Sequence, residues 1–146
     1  PEKEPTVTIS IKKELFFPQS REEVWTALTD PAAVAEWMFP NDFEAKVGHR
    51  FIFQCPPNPK VGFDGVVRCE VLECLPPDRL VFTWGGGFDS QVSYRLESES
   101  GGTKVYFEQS GFDLSLPFGE AAYKGAQWGW EKMHSRLSQI LKGNIA

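Results

Sequence analysis

Apolar residues recur along this chain at two different periods, and the change from one to the other divides it. Val7, Ile9, Ile11, Leu15 and Phe17 take every second position, with Thr8, Ser10, Lys12 and Glu14 between them, which predicts a strand buried on one face. Pro18 ends it. Ser20 and Glu23 then stand at capping-box spacing ahead of Val24, Trp25, Ala27 and Leu28, and a short helix is expected. Asp30-Pro31 marks a second helix start, Asp as N-cap and Pro in the first turn, for a helix from Ala32 to Trp37 that Met38-Phe39-Pro40 closes. Two helices this short bury little between themselves, so they are expected to plug one end of a sheet.

From Asp42 onward the period of two returns. Phe43 to Lys46 reads as a short strand, Val47-Gly48 as a turn, and His49 to Cys55 as the hairpin partner, with Phe51, Phe53 and Cys55 on one face. Beyond the Pro56-Pro57-Asn58-Pro59 loop, Phe63 to Leu75 carries Gly65, Val67, Cys69 and Val71 on one face, and the slip in alternation at Leu72 predicts a β-bulge near Val71-Leu72. Pro76-Pro77-Asp78 turns the chain into Leu80, Phe82 and Trp84, and Gly85-Gly86-Gly87 leads out of them. Val92, Tyr94 and Leu96, then Val105, Phe107 and Gln109, continue the pattern across Gly101-Gly102. Phe112 to Phe118 reads as a loop. The period then becomes helical: Ala126, Trp130, Met133, Leu137, Ile140 and Leu141 form one stripe over Gly119 to Lys142, which predicts one long amphipathic helix. Six such side chains gain ~1.5–3 kcal/mol each on burial, against backbone ordering of ~1–2 kcal/mol per residue. The helix therefore needs a concave apolar surface to lie in. Strand, two short helices, a meander of about six strands and a long helix make an antiparallel α+β protein, with a sheet long enough to curl around the helix.

Composition narrows the class. A chain of 146 residues fits one domain, expected over residues 7–142, with 1–6 as a flexible N-terminus and 143–146 as a tail. Twelve Phe, five Trp and three Tyr must line something, either a solid core or a cavity. A net charge of −5 argues against a nucleic-acid partner. Cys55, Cys69 and Cys74 form neither an even disulfide set nor a CxxC pair, and read as reduced thiols in a cytoplasmic protein. The charged, proline-bearing start Pro1-Glu2-Lys3-Glu4-Pro5 is not expected to be a signal peptide. No apolar run approaches the ~18 residues of a membrane span.

Three stretches carry a family resemblance: Val24-Trp25-Thr26-Ala27-Leu28-Thr29-Asp30-Pro31 with Trp37 six residues on; Val71-Leu72-Glu73-Cys74-Leu75-Pro76-Pro77-Asp78-Arg79-Leu80-Val81-Phe82-Thr83-Trp84; and Gly129-Trp130. With the order of elements, they resemble the helix-grip fold of the START, or SRPBCC, pollen-allergen-like superfamily. More closely, they resemble the branch named after the activator of the ninety-kilodalton heat-shock protein ATPase. The resemblance runs from Val7 to Lys142. It implies a curved antiparallel sheet of about seven strands wrapped around one long C-terminal helix, two short helices after the first strand, and an apolar cavity between helix and sheet. It is specific for the fold and weak for activity, because the superfamily holds lipid carriers, hormone receptors and cyclases alike. Nothing in these residues corresponds to the separate N-terminal domain through which the eukaryotic co-chaperone does much of its work, so that activity is not carried over. Single-domain members of the branch are mostly prokaryotic.

The inward rings Phe51, Phe53, Phe82, Trp84, Tyr94, Phe107 and Trp130, together with Val67, Cys69 and Met133, are candidates to line a ligand pocket, with Trp37, Met38 and Phe112 at its mouth. The alternative is that the same rings fill the core. His134 follows Trp130 by one turn and is expected half-buried and hydrogen-bonded; a catalytic role would need a nucleophile or carboxylate within reach, and none is identifiable. His49, in a turn, is expected to be exposed. Cys69 and Cys74 do not share a side of their strand unless the bulge intervenes, so no metal site is expected. Gly85-Gly86-Gly87 precedes strand rather than helix and reads as a hairpin loop, not a phosphate cradle. Asp64, Asp89 and Glu108 read as solvated surface carboxylates. Trp128 points roughly 160° away from Trp130 on a continuous helix. The preferred reading is that the 112–118 loop covers it or that the helix begins only near Gly129; the alternative is an anchor for a protein partner or a homodimer. The expected function is a small protein holding a hydrophobic molecule, without cofactor or catalysis. A chaperone-interacting or stress-response regulatory module is the first alternative, and a cyclase- or hydrolase-like enzyme relying on Tyr94 and His134 the second.

Overall fold

The computed structural model describes residues 8–61, 64–85, 89–117 and 119–141. Its elements are β1 (Thr8–Phe17), α1 (Arg21–Thr29), α2 (Pro31–Trp37), β2 (Arg50–Gln54), β3 (Val66–Leu75), β4 (Arg79–Gly85), β5 (Asp89–Glu99), β6 (Gly102–Asp113) and α3 (Gly119–Leu141). The expected N-terminus and C-terminal tail, Phe63, Gly86, Gly87, Phe118, Lys142 and the Asp89 carboxylate lie outside the described residues.

The six strands form one antiparallel sheet in the order β1-β6-β5-β4-β3-β2. β2 to β6 follow one another as a meander, and β1 completes the sheet beside β6. The count is six among the described residues rather than about seven, because Phe43 to Lys46 forms no strand. That segment is a turn, held where His49 Nε2 meets the Asp42 carbonyl at 2.9 Å and Asp42 accepts the Ile52 amide at 2.8 Å. Phe43 is still buried, edge-on to Phe51 at 5.0 Å. His49 is half-buried rather than exposed, between Asp42, Glu44 and the Phe51 ring.

The alternation delivers the core. Ile11, Leu15 and Phe17 of β1, Val67, Cys69 and Val71 of β3, Leu80 and Phe82 of β4, Val92, Tyr94 and Leu96 of β5, and Val105 and Phe107 of β6 are all buried. The β3 register against β4 shifts between Val71 and Glu73, the bulge that the Leu72 slip predicts. The β5–β6 turn is tight: Glu99 faces Gly102, with Ser100 and Gly101 at positive φ. β6 runs on through Phe112, which is a buried strand residue rather than the start of a loop. Pro76-Pro77 is a cis peptide.

Ser20 caps α1 by accepting the Glu23 amide at 3.2 Å. Asp30 stands at the N-cap of α2 but makes no side-chain cap bond. α1 and α2 close one end of the curl, fastened where the Trp37 indole donates to the Ala27 carbonyl at 2.9 Å and Arg136 Nε of α3 donates to the Trp37 carbonyl at 3.2 Å. α3 lies in the concave face and buries Trp130, Met133, His134, Leu137, Ser138 and Leu141. Ala126 is half-buried, and Ile140, expected on the stripe, is 40% exposed. Among the described residues, no helix is long and apolar enough to cross a membrane.

Candidate functional site

Where α3 meets the sheet, side chains from six elements build a continuous surface of rings. Phe51 and Phe53 of β2 lie 5.4 Å apart, Phe51 touches Phe82 of β4 at 5.5 Å, and Phe53 touches Trp84 at 5.3 Å. Trp84 passes the contact to Trp130 of α3 at 5.2 Å. Trp130 meets Phe107 of β6 at 4.7 Å and stacks on His134, one turn along its helix, at 5.5 Å. Phe107 also meets Tyr94 at 5.2 Å and His134 at 4.7 Å, and Trp37 of α2 closes over Tyr94 and His134 at 6.5 and 6.1 Å. The structure thus brings together Phe51, Phe53, Phe82, Trp84, Tyr94, Phe107 and Trp130, with Val67, Cys69 and Met133 buried in the same core. Met38 and Phe112 are buried, and Trp37 is wedged inside the core rather than standing at a rim. Phe112 packs on Tyr123 of α3 at 5.4 Å.

Among the described residues, buried polar side chains reach this surface from β5, β6 and α3. Tyr94 Oη and His134 Nε2 share a hydrogen bond at 3.1 Å, although 40 positions separate them in the sequence. His134 is fully buried, not half-buried, and burial with the nearby Lys13 charge brings its pKa from 6.5 down to about 3, so the imidazole is neutral and one of its nitrogens is free to accept. Burial raises the Tyr94 phenol well above its usual value, keeping it protonated. Beside this pair runs a second chain. Trp130 Nε1 donates to Gln109 Oε1 at 2.5 Å, Gln109 Nε2 donates to Ser90 Oγ at 3.1 Å, and Ser90 Oγ donates to the Trp84 carbonyl at 2.9 Å. Gln109 and Ser90 are buried residues that the sequence reading did not single out. The signal was present: Gln109 is a polar residue at a core position of its strand.

Chemically, no charged side chain is buried in the inner surface among the described residues, although the Lys13 charge reaches His134. Among the described residues the buried polar set is Ser90, Thr103, Gln109, His134 and Ser138. Burial raises the Cys69 thiol and pushes Cys55 up to about 11, so both stay protonated near neutral pH and are poor nucleophiles.

The convex face is different. A depression of about 430 Å³ lies there, with Lys12, Arg79, Ser93, Arg95, Tyr106 and Glu108 among its lining residues. Two of its cations already have partners: Arg79 pairs with Glu73 at 3.2 Å, and Arg95 pairs with Glu97 and covers Tyr106 at 4.0 Å. Asp64 also pairs, with Arg68 at 3.4 Å. Such exposed, solvated pairs offer little to a hydrophobic ligand. Trp128 stands on the outer side of α3, 64% exposed, with the Lys132 ammonium 4.4 Å from its ring centre. Since α3 begins at Gly119 and the ring is open to solvent, both expectations that would have hidden Trp128 are overturned.

A curled antiparallel sheet gripping one C-terminal helix, its concave side faced with rings, defines a helix-grip domain of the START/SRPBCC superfamily. Within that class, residues 18–142 match the model of the Activator of Hsp90 ATPase homolog 1-like protein family, and the chain belongs to that family. Solved structures agree. The protein MLL2253 of Mesorhizobium loti is 33% identical, covering 93% of this chain and 97% of its own, with a TM-score of 0.76. Bacillus halodurans BH1534 is 28% identical over 94% of this chain and 99% of its own, with a TM-score of 0.78. DynU16, a protein of the dynemicin biosynthetic locus, is 28% identical over 91% of this chain and 47% of its own, with a TM-score of 0.72. No protein with a curated description matches the chain.

Proposed function

We propose that this protein binds a hydrophobic, ring-bearing small molecule between α3 and the concave face of the sheet, and that it carries the molecule without transforming it. The observation behind this reading is the unbroken run of rings from Phe51 through Trp84 and Trp130 to Trp37, which joins sheet and helices. Rings present flat, weakly hydrated faces on which a planar or polycyclic ligand gains dispersion contacts. Phe51, Phe53, Val67, Cys69, Phe82, Trp84, Tyr94, Phe107, Trp130 and Met133 would form its walls, and Trp37, Met38 and Phe112 would close it. The family membership supports this use of the fold, and so does the origin of DynU16 in a biosynthetic locus. Three cysteines without a disulfide fit a reducing cytoplasm. Native mass spectrometry of the protein as purified, followed by a thermal-shift series of sterols, fatty acids and polycyclic aromatics, tests the reading. A co-purifying or stabilising ring compound is expected; a protein that retains none and is stabilised by none would refute it.

A second reading rests on Trp128 alone. An indole this exposed, backed by Lys132, is the kind of anchor a protein partner uses, and the family name points to a chaperone. Capture of the host ninety-kilodalton chaperone by the wild-type protein but not by Trp128→Ala would support it, and equal capture by both would remove it.

A further inference from the structure

We infer that the site selects an uncharged ligand carrying a hydroxyl or carbonyl oxygen, which it holds at the Tyr94–His134 pair, and that it discriminates against carboxylates. This deepens the small-molecule reading above and rests on it. The ring surface has two parts joined at the Trp84–Trp130 contact. On the β2–β4 side, Phe51, Phe53 and Phe82 offer apolar faces only. On the β5–β6 side, two polar groupings face α3, and they differ in spare capacity. Gln109 is engaged at both ends, by Trp130 and by Ser90. Among the described residues Tyr94 Oη bonds to His134 alone, whereas a phenol hydroxyl carries one donor and two acceptor positions.

The pair also adapts. When Tyr94 donates to His134 Nε2, the phenol oxygen accepts from a ligand hydroxyl; with the other tautomer, His134 donates to the phenol and Tyr94 donates onward to a ligand carbonyl. Either arrangement suits a neutral oxygen. A carboxylate brings a full charge that only a buried cation could balance, and no Lys or Arg is buried among the described residues. Lys13, whose charge reaches His134, is exposed on β1 and remains hydrated.

Three probes of one shape separate the possibilities: naphthalene, 2-naphthol and 2-naphthoate, titrated by calorimetry at neutral pH into the wild-type protein and Tyr94→Phe. The wild type is expected to bind 2-naphthol about tenfold more tightly than naphthalene and to bind 2-naphthoate more weakly than either. Tyr94→Phe is expected to bring the ratio of 2-naphthol to naphthalene affinity from about ten down to about one. Binding of 2-naphthoate as tight as that of 2-naphthol, or equal weakening of 2-naphthol and naphthalene by Tyr94→Phe, overturns the inference while leaving the ring site standing. Failure of all three probes to bind overturns both. The wild-type series decides the matter even where Tyr94→Phe does not fold.

Discussion

The two faces of the sheet come from the same six strands, yet they handle charge in opposite ways. On the convex face, Glu14 sits opposite Tyr106, Tyr106 opposite Arg95, and Arg95 opposite Arg79. This row is solvated and held by cation–π contact and exposed ion pairs, each weak because water competes for both partners. On the concave face the buried polar groups are uncharged and hydrogen-bonded to one another. α3 repeats the division within three residues, since Trp130 is 2% exposed and Trp128 is 64% exposed. The lesson is that aromatic content alone does not locate the site. On α3 the buried ring is the one whose polar atom is satisfied inside the protein: Trp130 Nε1 donates to Gln109, whereas Trp128 stands open to solvent.

The largest effect expected from breaking this contrast is at Trp130. Trp130→Ala removes a buried indole and strands Gln109 Oε1, so chemical denaturation should show a loss of about 4 kcal/mol or more. Trp128→Ala should lie within about 0.5 kcal/mol of wild type. Comparable losses at the two positions would mean that Trp128 is covered in solution.

Next comes the pH dependence set by His134. Its folded pKa, about 3, lies below its ordinary 6.5, so between these values the unfolded chain takes up a proton that the native state refuses. The stability contribution is therefore complete above pH 6.5 and lost as pH falls toward the folded pKa. By about pH 4 the loss should be on the order of 3 kcal/mol, and the His134→Gln variant should lack that component of the profile. An unchanged slope in the variant would place a charged or solvated imidazole at this position.

The smallest effect should have the opposite sign. Gly125 and Gly129 lie within α3, and a Cβ at either would meet nothing within 4 Å. Gly125→Ala and Gly129→Ala should each stabilise the protein by up to ~1 kcal/mol in thermal or chemical denaturation, through helix propensity alone. Destabilisation by either would show that the outer side of α3 is occupied in solution, and would strengthen the reading that Trp128 docks a partner.

How far these contrasts could be read in advance depended on distance along the chain. The α3 stripe of Trp130, Met133, Leu137 and Leu141 was legible because helical periodicity is local, and the outward turn of Trp128 followed from the same arithmetic. The bulge after Val71 was legible as a slip in alternation. Phe43 misled because a four-residue apolar-polar alternation is too short to separate a strand from a turn that tucks one ring inward. Phe112 misled because β6 carries on past Gly111, where φ is positive, and the alternation is broken there. Ile140 sits on the edge of the stripe, where a small rotation decides between core and solvent. The Tyr94–His134 and Gln109–Trp130 bonds join residues 40 and 21 positions apart, and no local pattern encodes which strand faces which turn of the helix. The candidate rings were therefore recognisable singly, while the Tyr94–His134 pair emerged only with the fold.

The most direct test of the central claim is the proton–nitrogen correlation spectrum of the five indole groups during titration with 2-naphthol. Binding between α3 and the sheet should shift the Trp130, Trp84 and Trp37 indole signals together and leave Trp128 where it was. Movement of Trp128 with Trp130 and Trp84 unchanged would contradict the account and move ligand binding to the outer side of the helix.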